Sequence, residues 1–470
     1  MIRAHALIGS GCLTVLCLGA GLTLAQQASS PEEGGPVLTF GLSSTFSATD
    51  NYNLSPSGGD SAELFDNRLS FGYRNRRAND VLSLDLSGLL RANEPPGGSR
   101  TLDDRSARLG YDREGVNSAL SFGADYSLAS VNSLDPFDQN RFFDDDLLDE
   151  NDLAEDQGDR EQISTRFSFE TGLNDPVGFI VEGRYREQTY SSTTDPDLFD
   201  TETISLTGTT RFTLSPATEA RVVLRYRDYT ADDVPQTDRQ TTSFNLGLTQ
   251  ALSKIDTLDV SLGLQQIETH ETILGARNSD TETGIIGNIA LDRELTRGTV
   301  GTTFDLSDSV NGTTATWLAS RTMPLPRGAL AISLGATSDV SDTIRPVGSI
   351  EFSHEMPRST LTATLDRRVA TSSRSNELRT TSASLGYTYE INSLSDLGFS
   401  ANLAEVAQAG GPAVNDTTRA DLRATYSRDL TRDWRLSSGY EYRIRDETGV
   451  GSATSNRVFL TLERKVVIRP

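Results

Sequence analysis

Residues 118–130 read SALSFGADYSLAS, and every second position from Leu120 onward is apolar or small. Leu120, Phe122, Ala124, Tyr126 and Leu128 share one parity, with Ser121, Gly123, Asp125 and Ser127 between them. A period of two places the two sets on opposite faces of a strand. Leu82, Leu84, Leu86 and Leu90 alternate in the same way with Ser83, Asp85 and Ser87, and Ala383, Leu385, Tyr387, Tyr389 and Ile391 repeat the pattern. The alternation extends from about Val37 to about Ile468 in runs of about 10 to 14 residues. Strands of that length, apolar on one face and polar on the other, suit a barrel with lipid outside and water inside.

The connections support this reading. Short segments dense in Asn, Asp, Gly, Pro and Ser, such as 75–80, 112–117, 215–219, 324–328 and 431–433, have the chemistry that closes hairpins. Longer polar segments lie between them, near 53–62, 92–101, 130–160, 191–202, 232–239, 408–416 and 446–455. Outer-membrane barrels put short turns in the periplasm and long loops outside. Tyrosines supply an independent sign. Tyr73, Tyr111, Tyr387, Tyr389 and Tyr426 fall on the apolar parity near short turns, and Tyr126, Tyr185, Tyr226, Tyr440 and Tyr442 near long loops. Two aromatic girdles would produce that placement.

The first 25 residues read as a secretory signal, with Arg3, an apolar stretch from Leu13 to Leu24, and Ala25 at the cleavage site. Both cysteines, Cys12 and Cys17, fall inside it, so disulfides, thiolate metal sites and cysteine nucleophiles are excluded from the mature chain. Residues 26–36 read as a disordered tail. No run of 18 apolar residues follows, which excludes a helical inner-membrane protein. A formal charge of −23 argues against nucleic-acid partners.

On these features the chain resembles Gram-negative outer-membrane β-barrels of the porin-like group found in alphaproteobacteria. The resemblance covers nearly the whole mature chain and rests on pattern. It implies outer-membrane localisation, contact with lipid and lipopolysaccharide, and handling by the barrel assembly machinery. One departure concerns the last strand. Val458, Leu460, Leu462, Val466 and Ile468 keep the alternation, but the chain ends Arg469-Pro470 where an aromatic residue is usual, and Arg464 sits on the apolar parity.

The polar parity carries many charges, among them a basic wall of Arg184, Arg186, Arg225, Arg227, Arg423 and Arg443. Such a wall is either a salt-bridged structural lining or a ladder that sets ion selectivity. The sharpest local feature is the 130–160 loop. Twelve carboxylates lie between Asp135 and Glu161, including Asp144, Asp145, Asp146, Asp149, Glu150 and Asp152. In general porins the corresponding loop narrows the pore, so these six are the candidate constriction, facing the arginines. Phe137, Phe142, Phe143, Leu147 and Leu148 would let the loop dock. A solvated flap, or carboxylates holding divalent cations at the lipopolysaccharide surface, is the competing reading. The spacing does not match a dedicated calcium loop.

No catalytic constellation emerges. His270 and His354, the two histidines after the signal, belong near opposite membrane faces, roughly 25 Å apart. No enzyme activity, cofactor or metal is implied. The reading is an all-β fold: a single closed antiparallel transmembrane β-barrel over 37–470 with about 22 strands, in a range of roughly 16 to 24. The tail of eleven residues leaves no room for a plug domain, so a TonB-dependent receptor is not expected. The expected function is a porin-like channel for passive diffusion of small polar or charged solutes. The alternatives are an exporter of secreted polysaccharide with a periplasmic partner, or a structural barrel with a closed lumen. A homo-oligomer remains open.

Overall fold

The alternation resolves into 22 antiparallel strands, each bonded to its sequence neighbours, with the last returning to the first. The computed structural model describes residues 34–92, 102–131, 137, 153, 156, 158–273, 275–372, 375–410 and 416–470. The signal peptide at 1–25, most of the 26–36 tail and the six candidate constriction carboxylates lie outside the described residues.

The first strands are β1 (Gly35–Thr49), β2 (Ala62–Arg76), β3 (Asp80–Arg91), β4 (Leu102–Glu114), β5 (Ser118–Ser130) and β6 (Asp159–Thr171). Then come β7 (Val177–Ser191), β8 (Thr201–Ser215), β9 (Thr218–Ala231), β10 (Thr237–Ala251), β11 (Asp256–Ile273) and β12 (Ala276–Leu295). They are followed by β13 (Gly298–Ser309), β14 (Gly312–Leu325), β15 (Gly328–Ser338), β16 (Ile344–Met356) and β17 (Ser359–Thr371). The last are β18 (Glu377–Asn392), β19 (Ser395–Gly410), β20 (Thr417–Asp429), β21 (Trp434–Glu447) and β22 (Gly451–Ile468).

Closure is a full ladder. β1 and β22 pair in register from Leu38 with Ile468 to Thr49 with Arg457. The seam is reinforced beyond the strand end, where the Asn456 backbone and side-chain amides each donate to the Asp50 carboxylate at 2.7 Å. A closed sheet leaves no unpaired edge within the hydrocarbon, which a membrane-spanning sheet requires.

Registry preserves the two faces. Phe40 pairs with Phe71, Leu42 with Leu69 and Phe46 with Phe65; all but the half-buried Phe71 are exposed on the apolar wall. The opposite parity faces the interior. The short turns fall where hairpin chemistry predicts them. At the β12–β13 turn Gly298 has φ of +83°, and a Cβ there would meet the Thr322 carbonyl oxygen at 1.9 Å. A side chain cannot be added without moving backbone. β11 and β12 extend past their neighbours: β12 pairs with β11 back to Ala276 but with β13 only from Gly287, so this hairpin rises above the rim.

Candidate functional site

The connections at the long-loop end turn inward. Leu153, in the segment joining β5 to β6, is 1% exposed and forms a buried cluster with Leu378 of β18 and Ala404 and Val406 of β19. Phe137 of the same segment packs against that cluster. Leu403 is on the lipid-facing wall, so Ala404 and Val406, of opposite parity, point into the lumen. Going from β5 to β19 the shorter way round passes seven strands, β4 to β1 and β22 to β20. Leu153 and Phe137 are therefore seated on the inner wall well away from the two strands that carry their segment. Its stem is fixed at Asp156, whose carboxylate accepts bonds from the Thr194 hydroxyl at 2.6 Å and the Asp195 amide at 2.8 Å.

Other connections converge on the start of β18. Arg239 of β10 donates to the Ser375 hydroxyl at 2.6 Å, and Asn311 donates to the Ser375 carbonyl at 2.5 Å. The Val340 amide donates to Glu377 at 3.0 Å, and Arg345 pairs with Asp339 at 2.6 Å while also donating to the Ala409 carbonyl. Residues 375–378 are thus the meeting point of segments that start on separate parts of the wall. The β1–β2 connection is held elsewhere, by Arg91 of β3 donating to the Tyr52 hydroxyl at 3.0 Å and Arg443 of β21 donating to the Tyr52 carbonyl at 3.4 Å.

Below these contacts a cavity of 1250 Å³ runs along the inner wall of β1 to β6 and β22. Among the described residues, eight basic side chains line it against five acidic ones, an excess of positive charge in a chain of net charge −23. Arg68 pairs with Asp104, and Arg108 with Asp125 at 2.7 Å.

The structure places all six arginines of the expected basic wall on the lumen parity, but in two separate arcs. Arg184 and Arg186 stand on β7, and Arg225 and Arg227 on β9. Arg225 is flanked by Thr207 and Ser243, Arg227 by Ser205 and Thr241, and neither arginine makes an ion pair among the described residues. Arg423 on β20 lies over the Phe459 ring at 4.5 Å, and Arg443 on β21 is 3.8 Å from Glu441. The sequence reading missed Phe459, an aromatic residue on the polar parity, as well as Leu153 and the Leu378–Val406 patch that receives it.

No protein-family model matches the sequence, and no curated protein matches it. Solved structures do match. The ferric-catecholate import receptor Fiu of E. coli K12, in its open form, is 12% identical, with a TM-score of 0.58 over 91% of this chain and 81% of that one. The FrpB iron transporter of Neisseria meningitidis is 10% identical, with a TM-score of 0.56 over 91% and 82%. BauA, the ferric preacinetobactin receptor of Acinetobacter baumannii, is 13% identical, with a TM-score of 0.53 over 92% and 80%.

The chain has the fold of Gram-negative outer-membrane β-barrels. Two expectations change with that comparison. The barrel has the fold of plug-bearing TonB-dependent receptors, the group the short tail argued against, although the described residues include no plug domain. The passive, porin-like diffusion channel is also overturned: the solved barrels of this architecture are import receptors and metal transporters. The physical reason for the error is plain. Alternation reports which face meets water, and a wet inner face is common to open pores and to barrels whose lumen is crossed.

Proposed function

We propose that this barrel is a ligand-specific importer for a small anionic solute of the metal-chelate type. The observation that carries the reading, in which the β5–β6 connection crosses the lumen, is Leu153 seated against Leu378, Ala404 and Val406 above a wall cavity with eight basic and five acidic residues. The cargoes named for the similar folds, a ferric catecholate and ferric preacinetobactin, support the chelate class. Residues 1–25 act as the export signal and 26–36 as a tail in this reading. The acidic 130–160 connection neutralises the basic wall while the outer end is closed, and an anionic solute takes over those arginines. Selectivity comes from competition between two sets of anions for one set of cations. No covalent chemistry is involved.

Equilibrium titration of the folded, detergent-solubilised barrel with ferric tris-catecholate tests the proposal. Saturable binding that weakens with added salt, and no binding of a neutral sugar of equal size, is the expected result. Equal binding of both, or of neither, overturns it.

A further inference from the structure

We infer that the outer wall carries a specific site for one anionic phospholipid of the periplasmic leaflet, built across the β1–β22 seam. A single hydrogen-bonded row of lipid-facing positions crosses five strands there. Trp434 pairs with Arg464, Arg464 with Leu42, Leu42 with Leu69, and Leu69 with Gly88. The row begins with an aromatic ring and a cation and ends in two leucines and a residue with no side chain. Gly88 leaves a depression, and a groove of 710 Å³ on the outer surface is lined by Leu42, Leu69, Leu86, Gly88 and Arg464.

The row climbs through the membrane. Trp434 is the first residue of β21, directly after a short periplasmic turn, whereas Gly88 follows the first residue of β3 by eight positions. At about 3.3 Å per residue and a tilt of about 40°, Gly88 sits about 20 Å above the periplasmic rim. The cation is therefore at headgroup level and the apolar groove rises into hydrocarbon, the polarity of a phospholipid.

Arg464 supplies the charge argument. Its guanidinium lies over the Trp434 ring at 5.3 Å, is exposed, and makes no ion pair among the described residues. An arginine on a lipid-facing wall is tolerated at the interface and costly deeper, so an anion at interface level is the partner that suits it. One row further out, the Ser44 hydroxyl donates to the Asn67 side chain at 2.8 Å, again on the lipid-facing parity. Among the described residues that line the groove, Arg464 is the one cationic group.

Native mass spectrometry of the purified barrel, titrated with phosphatidylglycerol and with phosphatidylcholine of the same acyl chains, reads the site. One tightly held phosphatidylglycerol, preferred by about tenfold over phosphatidylcholine, is expected, and Arg464→Gln abolishes the preference. Arg464→Lys retains it in part, and Gly88→Phe, which fills the groove without touching the charge, weakens both lipids. Glycerol 1-phosphate, a headgroup without chains, does not displace the lipid. Each variant is first checked for heat-modifiable mobility, and if Arg464→Gln fails to fold, Gly88→Phe carries the test. Equal retention of the two lipids, an unchanged preference in Arg464→Gln, displacement by glycerol 1-phosphate, or a second copy of the chain covering the face each overturn the inference.

Discussion

Leu153, from the segment between β5 and β6, shares one buried apolar cluster with Val406 of β19, a strand on a distant part of the barrel wall. The relationship joins residues far apart in sequence and ties Leu153 to that part of the wall. Leu153→Ala removes a fully buried leucine, a class of change that costs about 2–5 kcal/mol where the site cannot collapse. Here the loss falls on the docking of one segment, because the strand ladders do not depend on it. A cysteine at Val406 is expected to react with a membrane-impermeant maleimide at least several-fold faster in the Leu153→Ala background. An unchanged labelling rate would show that Leu153 does not shield the patch.

The seam carries a pH dependence. The Asn456 backbone amide, which outweighs the opposing effect of burial, holds the Asp50 carboxyl below its ordinary value of 3.8. A group with a depressed folded-state pKa contributes stability above its unfolded value and loses it as pH falls through the folded one. The wild-type barrel therefore loses this contribution only in acid, below about pH 4. Asp50→Asn should lower the urea midpoint more at pH 7 than at pH 3. Equal losses at both pH values would contradict the assignment.

Arg221 and Asp259 form a bidentate pair in the lumen, with both contacts at 2.6 Å and side chains 15% and 20% exposed. Breaking a buried pair on one side costs about 3–5 kcal/mol, and lumen water reduces that. Asp259→Asn, which leaves the guanidinium without its partner charge, is expected to destabilise more than the double change Arg221→Gln with Asp259→Asn. Chemical unfolding of the wild type, of each single variant and of the double variant gives the coupling.

Arg225 and Arg227 differ from Arg221 because no carboxylate among the described residues pairs with them. Replacing both with Gln is expected to change stability by less than about 0.5 kcal/mol, as for charges outside a network. The same change should weaken binding of the anionic chelate about tenfold or more at low salt, with the gap narrowing as salt rises. Loss of stability without loss of binding would assign them a structural role instead.

Much of the barrel was legible because its determinants are local. Parity along Leu120 to Leu128, the turn chemistry at 324–328 and 431–433, and the count of alternating runs all act over a few residues, and the 22 strands follow them. Arg464 was visible as a charge on the wrong parity, although its stacking on Trp434 needed the β21–β22 register. The seat of Leu153 on the inner wall was not legible. Leu153 in an acidic run looks like any loop leucine until Leu378 and Val406 are placed opposite it, and no periodicity encodes a contact between distant strands. The passive-channel reading failed at that point.

The most direct measurement of the central claim is the permeability of liposomes carrying the folded wild-type barrel to neutral sugars. The crossed lumen predicts swelling no faster than in empty liposomes, and faster swelling once Leu153 is replaced by Asp. Fast swelling of the wild-type liposomes, graded by sugar size, would mean that the lumen stands open and would contradict the account.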